Sequence, residues 1–197
     1  MRDVFTSNLL HDRSHEVNNP LEGLVIGNRI PKDYFITKGT GESNITIHAG
    51  SYHLALKNAG IEKANIMTYS SILPAIANKV EQPANYTHGA VMETIMAVAN
   101  GSRGEFVTAG ITYGWLTNRL SGESYGGLVC EHNGNYSEEE LNYRLNASLN
   151  ELYINGFEED YIMDQKYHIT ESFIPEKSYG TAIVAICFTN YIYPIIR

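Results

Sequence analysis

The hydrophobic and polar positions of this chain alternate mostly with the short period of β-structure. Runs rich in β-branched and aromatic residues are bounded by clusters of Gly, Asn, Ser and Pro, which is typical of strands separated by turns. The three runs between residues 89 and 132 are joined by short turn-rich segments, so they are predicted to form an antiparallel meander. In all, strands are predicted at residues 23–30, 34–38, 65–69, 89–99, 105–115, 125–132, 167–173 and 181–191.

Two segments have the longer period of a helix. A Ser-x-x-Glu capping box at Ser137 and Glu140 precedes leucines with helical spacing, which predicts a core-facing helix ending at Gly156. A shorter helix is predicted at residues 51–58, and the Gly-Thr-Gly-Glu-Ser segment at 39–43 is predicted to be a flexible loop. The order of elements indicates an α+β fold of mainly antiparallel strands with helices on its outer faces. The leucines of the long helix are Leu141, Leu145, Leu149 and Leu152.

Length and composition indicate one globular domain. The chain has 197 residues, of which 43% are hydrophobic and 18% are charged, and such a chain buries a substantial core. Residues 1–22 are predicted to form a polar N-terminal arm and residues 23–197 the domain. The net charge of −8 disfavours a nucleic-acid partner and mildly favours a cationic ligand.

Cysteine and histidine usage bears on location and on metal binding. Cys130 and Cys187 are too few for a disulfide framework. The first residues lack the apolar core expected of a signal peptide, and no apolar run reaches membrane-spanning length. We therefore expect a cytoplasmic protein without a membrane partner. His11 and His15 are four residues apart, but without a third ligand nearby they predict no metal site.

The pair Ser70-Ser71 follows an apolar strand and precedes Ile72-Leu73-Pro74. Taken alone, this pair is most simply a junction between a strand and a loop. A serine hydroxyl can, however, attack the preceding carbonyl when a turn brings the two together. The ester that forms can eliminate, which splits the chain and leaves a dehydroalanine that hydrolyses to a pyruvoyl group. Such a group supplies an electrophilic carbonyl without a bound cofactor.

The sequence around the serines resembles the pyruvoyl-dependent arginine decarboxylase family from about residue 31 to residue 134. The ordered set of motifs is specific, although none of its members is specific alone. The residues that carry the resemblance are Tyr34-Phe35-Ile36-Thr37-Lys38-Gly39, Leu54-Ala55-Leu56-Lys57-Asn58-Ala59-Gly60-Ile61, Asn65-Ile66-Met67-Thr68-Tyr69-Ser70-Ser71-Ile72-Leu73-Pro74, His88-Gly89-Ala90-Val91 and Gly126-Gly127-Leu128-Val129-Cys130-Glu131.

This resemblance implies a fold, an assembly and an activity. The implied fold is a four-layer αββα sandwich, and the implied assembly is a homotrimer or a dimer of trimers. The chain would cleave itself between Ser70 and Ser71, and the Ser71-derived pyruvoyl group would be the cofactor. A small amino acid would be the substrate, converted through a Schiff base. With arginine as the leading substrate, the products are agmatine and carbon dioxide.

Glu131 is the predicted proton donor of this reaction. It follows Leu128, Val129 and Cys130, and strand alternation places it on the face of Val129. Partial desolvation there favours the protonated form of a carboxyl group near neutral pH. A protonated carboxyl returns a proton to the substrate Cα after carbon dioxide leaves. The alternative is a strand-end glutamate that points into solvent, and the resemblance favours the catalytic role.

Asn65 is a further candidate for self-processing. It lies six residues before Ser71, so the two share a face if the strand stays regular as far as Ser71. A neutral amide there would orient the carbonyl of Ser70. The alternative is an asparagine that caps the strand after a loop. The resemblance implies the processing role.

His53 departs from the family pattern. The resemblance implies an aspartate at this position, which would pair with the guanidinium of arginine, and a histidine cannot make that interaction. His53, Leu56 and Glu42 are the predicted substrate-binding residues. For arginine, another acid must meet the guanidinium, and Glu42, Glu93 or an acid of a neighbouring subunit is expected near the far end of the pocket. The alternatives are a decarboxylase of another amino acid and an uncleaved trimeric binding protein.

Overall fold

The structure is a computed structural model that describes residues 26–195. Two helices are present in this part of the chain, and a stretch of π-helix, Ile47–Tyr52, leads into the first of them. The helices are α1 (His53–Asn58) and α2 (Glu138–Gly156). The strands are β1 (Ile30–Pro31), β2 (Asp33–Ser43), β3 (Asn65–Thr68), β4 (Ile72–Pro74), β5 (Asn78–Lys79), β6 (Val91–Ser102), β7 (Val107–Asn118), β8 (Ser124–Gly134), β9 (Tyr161–Phe173), β10 (Tyr179–Phe188) and β11 (Tyr191–Ile192).

Two sheets make up the body of the molecule. One has five strands in the order β3-β6-β10-β2-β5, and the other has four in the order β4-β8-β7-β9. The pairs β3–β6 and β2–β5 are parallel, and the other pairs in both sheets are antiparallel. The short strands β1 and β11 pair with each other near the chain ends. The predicted α+β fold of mainly antiparallel strands with two helices is confirmed.

Three apolar clusters hold these elements together. The largest contains buried residues of both sheets, among them Ile95, Ile111 and Val184, so the sheets contact each other through it. A second joins α1 to the five-stranded sheet. The third joins α2 to the four-stranded sheet and includes Leu128 and Leu149. Burial of this apolar surface is the main driving force of the fold.

Residues 39–43 form the second half of β2, so their prediction as a flexible loop is wrong. Each of them pairs with a residue of β10, from Gly39 opposite Ile183 to Ser43 opposite Tyr179. The glycines have a packing role instead. A Cβ at Gly41 would lie 2.2 Å from the carbonyl oxygen of Ser51 and 2.4 Å from the amide nitrogen of Ala55. Glycine therefore lets the helical segment lie directly on the strand.

Two other predictions about strands are wrong. Of the predicted strand 23–30, the described part has only an isolated bridge from Ile26 to Ile195 before β1 begins at Ile30. The predicted meander is divided between the sheets. β7 and β8 are antiparallel neighbours, but β6 pairs with β10 and β3 in the other sheet. Alternation identifies strands without giving their partners, which are non-local.

The helix α2 agrees with the sequence pattern. Its N-cap is Ser137, whose Oγ accepts a hydrogen bond from the backbone N–H of Glu140 at 3.3 Å. The Glu140 carboxylate accepts a hydrogen bond from Arg144 one turn later. Leu141, Leu145 and Leu149 are fully buried. No helix within residues 26–195 is both long enough and apolar enough to span a membrane.

Candidate active site

The chain passes from one sheet to the other at the Ser70-Ser71 pair. β3 ends at Thr68 in the five-stranded sheet, and β4 begins at Ile72 in the four-stranded sheet. Ile72 lies opposite Leu128 of β8, and the backbone N–H of Val129 donates to the carbonyl oxygen of Ser71 at 3.1 Å. The serine pair is therefore fixed beside the middle of β8.

This crossing brings Ser71 and Glu131 together. The Ser71 hydroxyl donates a hydrogen bond that reaches both carboxylate oxygens of Glu131, at 2.8 and 2.7 Å. Both residues are half-buried. As predicted, Val129 faces the cluster between the sheets, whereas Leu128 and Cys130 face α2. A carboxylate that accepts from a serine hydroxyl orients it and can take its proton.

The bond between Ser70 and Ser71 lies in a tight turn. The backbone N–H of Ile72 donates to the carbonyl oxygen of Ser70 at 2.9 Å, so the hydrogen bond spans Ser71. Such a three-residue turn folds the chain back at its central residue. The N–H of Ile72 also points at the oxygen that would gain negative charge if the Ser70 carbonyl were attacked.

A cleft of about 540 Å³ opens beside this pair. Its walls are mostly apolar and include Ile72, Leu128 and Phe157. Ser148 and Leu152 of α2 contribute to the lining, although the leucine spacing predicts only a core-facing helix. Leu152 was predicted to be in the core but is 39% exposed. Ser148 and Leu152 are four residues apart, a spacing that places them on one helical face and could have revealed their shared role.

His132 and Cys130 complete the polar part of the cleft. The Nε2 atom of His132 lies 2.8 Å from the Oγ of Ser148, which ties β8 to α2 beside Glu131. Burial, with a smaller contribution from the charge of Glu131, raises the pKa of the Cys130 thiol to about 11. Cys130 is therefore a neutral thiol at physiological pH and a poor nucleophile. Ser71 and Glu131 remain as the reactive pair.

Asn65 does not contact this pair within the chain. Its side-chain amide donates to the carbonyl oxygen of Gly89 at 2.8 Å, and the residue is exposed at the start of β3. Asn65 and Ser71 do not share a strand face, because β3 ends at Thr68 and the chain then changes sheets. A processing role for Asn65 remains a prediction.

The predicted substrate-binding residues lie outside the lining of this cleft. His53 is exposed at the first residue of α1, and Leu56 is buried between α1 and the five-stranded sheet. The carboxylate of Glu42 accepts hydrogen bonds from the backbone N–H groups of Glu176 and Lys177, so it stabilises the connection from β9 to β10.

Glu93, the other acid considered for the guanidinium, is 2% exposed. Its carboxylate accepts from the guanidinium of Arg29 and from the phenol of Tyr69. Within the described residues, therefore, Glu131 is the one acid in the lining of the cleft.

The site thus combines a serine hydroxyl bound to a carboxylate, an apolar cleft and a bent peptide bond. The model of the family described as pyruvoyl-dependent arginine decarboxylase matches residues 33–193. The chain belongs to this family. The predicted family is thus confirmed, and its description names a carboxy-lyase that depends on a covalently bound pyruvoyl group. The Ser71 and Glu131 geometry fits such a group.

Curated relatives carry the same description. The pyruvoyl-dependent arginine decarboxylase of Methanococcoides burtonii is 41% identical over 34% of this chain and 38% of its own. A probable pyruvoyl-dependent arginine decarboxylase of Chlorobaculum parvum is 31% identical over 56% of this chain and 65% of its own. The pyruvoyl-dependent arginine decarboxylase AaxB of Chlamydia abortus is 30% identical over 84% of this chain and 94% of its own. The chain thus spans less than two thirds of the first two relatives and nearly all of the third.

Proposed function

We propose that this chain cleaves itself between Ser70 and Ser71 and then decarboxylates arginine to agmatine. The observation that carries the proposal is the hydrogen bond from the Ser71 hydroxyl to both carboxylate oxygens of Glu131. The family assignment supports arginine as the substrate. The apolar cleft beside the pair supports a reaction from which water is partly excluded.

Cleavage begins with attack of the Ser71 Oγ on the carbonyl carbon of Ser70, while Glu131 accepts the hydroxyl proton. The N–H of Ile72 stabilises the negative charge that develops on the Ser70 oxygen. The bond from the Ser70 carbonyl carbon to the Ser71 nitrogen then breaks. The nitrogen leaves as an amine with a proton, and an ester joins Ser70 to the Ser71 side chain.

The ester is resolved by elimination. A base removes the Cα proton of Ser71, and the bond from Cβ to Oγ breaks, so Ser70 leaves as a carboxylate at a new chain end. The dehydroalanine at residue 71 takes up water and releases ammonia. The product is a chain that begins with a pyruvoyl group at position 71, and the step needs no oxidant or reductant. The Cα, Cβ and carbonyl group of residue 71 thus form the cofactor, and water supplies its keto oxygen.

A pyruvoyl group at position 71 would supply an electrophilic carbonyl for the substrate amine and would withdraw electrons during loss of carbon dioxide. The residues of the chain would bind the substrate and protonate its Cα. Glu131 lies where it can deliver a proton to the substrate Cα, since its carboxylate is within hydrogen-bond distance of the Ser71 side chain. Leu128, Leu152 and Phe157 line the cleft and would limit the access of water to the reacting atoms.

The assembly that fits this function is a homotrimer or a dimer of such trimers, built from four-layer αββα subunits. The three apolar clusters support the layer order, with α1 and α2 outside the two sheets. Three apolar side chains are exposed: Ile72 beside the cleft (65%), Met67 on the edge strand β3 (52%) and Val91 at the start of β6 (59%). Such residues are typical of subunit interfaces. A neighbouring subunit would supply the acid for the guanidinium.

Intact-mass spectrometry of the purified protein tests the proposal. We expect two chains, residues 1–70 and residues 71–197, with the second blocked by pyruvoyl. Ser71→Ala should remain one chain, because its nucleophile is absent. A wild-type protein recovered only as the intact 22.0 kDa chain would overturn self-cleavage and favour the trimeric binding protein.

A further inference from the structure

The residue directly before the serine pair, Tyr69, is held by three contacts. Its phenol donates a hydrogen bond to Glu93, and its ring lies on Phe188 with the ring centres 5.6 Å apart. Its backbone N–H donates to the carbonyl oxygen of Thr94 at 2.7 Å. The side chain and the backbone of Tyr69 are therefore both anchored to the five-stranded sheet.

Burial of Glu93, which is 2% exposed, carries a desolvation penalty because its carboxylate loses contact with water. A buried carboxylate is tolerated only when charged and polar partners replace water. The guanidinium of Arg29 supplies the charge and contacts both carboxylate oxygens. Arg29 in turn lies over the ring of Tyr191, 5.4 Å from its centre. Hydrogen bonding with Tyr69 raises the pKa of Arg29 further above its usual value.

These contacts converge on one short segment from opposite ends of the chain. Arg29 precedes β1, Tyr191 begins β11, and Glu93 belongs to β6. The segment crosses between the sheets, and its next fixed point after Tyr69 is Ser71, whose carbonyl oxygen accepts from the N–H of Val129 and whose hydroxyl donates to Glu131. Ser70 and its bond to Ser71 are thus held between two anchors, one in each sheet. An apolar side chain on Phe188 would be enough for packing alone, whereas a buried carboxylate fixes the phenol at one point.

We propose that Arg29, Glu93 and Tyr69 form a positioning relay that holds the bond between Ser70 and Ser71 in its bent conformation for self-cleavage. The relay contacts neither the reacting carbonyl nor the Ser71 hydroxyl, so it acts through the backbone of Tyr69. Without the phenol, residues 69 and 70 are held less firmly to the five-stranded sheet, while Ser71 stays bound to β8. The attack geometry at Ser70 is then populated less often, and cleavage slows. The inference rests on the proposed self-cleavage.

Tyr69→Phe is the most direct test, because it keeps the ring on Phe188 and removes only the hydroxyl. The full-length chain is made by cell-free synthesis, and cleavage is followed over time by intact mass. We expect Tyr69→Phe to be cleaved about tenfold more slowly than wild type or slower, as expected for loss of a hydrogen bond to a charged group. Glu93→Gln should be slowed as well. Tyr143→Phe, on the exposed face of α2, is the matched control and should be cleaved at the wild-type rate.

A second control separates positioning from stability. Ile183→Val removes a methylene from the core of the five-stranded sheet, far from any reacting group. If its melting temperature falls as far as that of Tyr69→Phe but its cleavage rate is unchanged, the positioning role is supported. If both variants are slowed equally, or if Tyr69→Phe is cleaved at the wild-type rate, the relay is overturned while the proposed function stands. A wild-type chain that is never cleaved would overturn both.

Discussion

At the scale of single residues, the decisive contact joins two side chains that are 60 positions apart. Ser71 and Glu131 each have an ordinary alternative role, as a turn residue and as a strand-end acid. Their hydrogen bond supports the proposed roles over those alternatives, because it holds the Ser71 hydroxyl against a carboxylate that can take its proton. One prediction at this scale concerns Glu131, and a second concerns His53, which lies outside the cleft lining.

Glu131→Gln should separate cleavage from turnover. The glutamine oxygen still accepts a hydrogen bond from Ser71, so the chain should be cleaved, more slowly than wild type. An amide cannot donate the proton that the substrate Cα needs. The turnover number per cleaved chain should therefore fall about a hundredfold or more. The cleaved fraction is quantified by intact mass, and turnover by carbon dioxide release. A turnover number within about threefold of wild type would remove Glu131 from the mechanism.

A substrate panel and the His53→Asp substitution test how arginine is recognised. We expect arginine to be the fastest substrate in a panel of amino acids, with the guanidinium met by an acid of a neighbouring subunit. His53→Asp should then change kcat/KM for arginine by less than about threefold, since the pairing is already made elsewhere. A tenfold or larger gain would show that the native histidine discriminates against a guanidinium. Another amino acid would in that case be the natural substrate.

At the scale of secondary-structure elements, two features determine how the site is built. Glycines of β2 let the helical segment pack on that strand, and the change of sheet after β3 positions the serine pair. β2 runs through the Gly-x-Gly segment because β10 pairs with it along its whole length. The helical segment Ile47–Asn58 can lie on that strand because Gly39 and Gly41 have no Cβ. The step from β3 to β4 places the serine pair between the two sheets, where Ser71 meets β8.

Gly41→Ala should destabilise the protein. The added Cβ would meet backbone atoms of Ser51 and Ala55 at 2.2 and 2.4 Å, and backbone cannot move aside without displacing the helix. We expect a loss of about 2 kcal/mol in the free energy of unfolding, measured with denaturant on the cleavage-deficient Ser71→Ala background. Gly156→Ala, whose Cβ would have no atom within 4 Å, is the control. It should change the free energy of unfolding by no more than about 1 kcal/mol. Equal effects of the two substitutions would contradict the packing role.

At the scale of the whole molecule, the supply of acids to the cleft is the relevant feature. Among residues 26–195, Glu131 is the one acid in the lining, and no second carboxylate lies there that could meet a guanidinium. Both acids considered for that role are already bound within the chain, Glu42 by backbone N–H groups and Glu93 by Arg29 and Tyr69. The exposed side chains of Ile72, Met67 and Val91 indicate where another copy is expected to pack.

At this scale we therefore predict that cleaved protomers associate into trimers or multiples of trimers. Light scattering coupled to size exclusion should give a mass of three cleaved protomers or a multiple of three. Met67→Glu should lower that mass, because a charge in a desolvated interface has no partner. It should also lower arginine turnover without blocking cleavage, since Ser71 and Glu131 belong to one chain. A wild-type monomer that decarboxylates arginine at full rate would contradict the shared site.

The sequence by itself determined the local features of this protein. The leucine spacing and cap of α2, the existence of most strands, the serine pair, Glu131 and the family resemblance are all visible in short stretches, because they depend on periodicity or on contiguous motifs. It also placed Val129 and Glu131 on one face of β8, since alternation along a strand is local.

The tertiary structure alone decided which strands pair and which side chains contact each other. β6 joins a different sheet from β7 because strand partners are chosen by non-local pairing. The glycines of β2 form strand because β10 pairs with them. Ser148 and Leu152 enter the cleft because α2 packs on β8. The assumption of a regular strand from Asn65 to Ser71 failed at the crossing between the sheets. That same crossing brings Ser71 to Glu131, a contact between distant positions that depends on the packing of the whole fold.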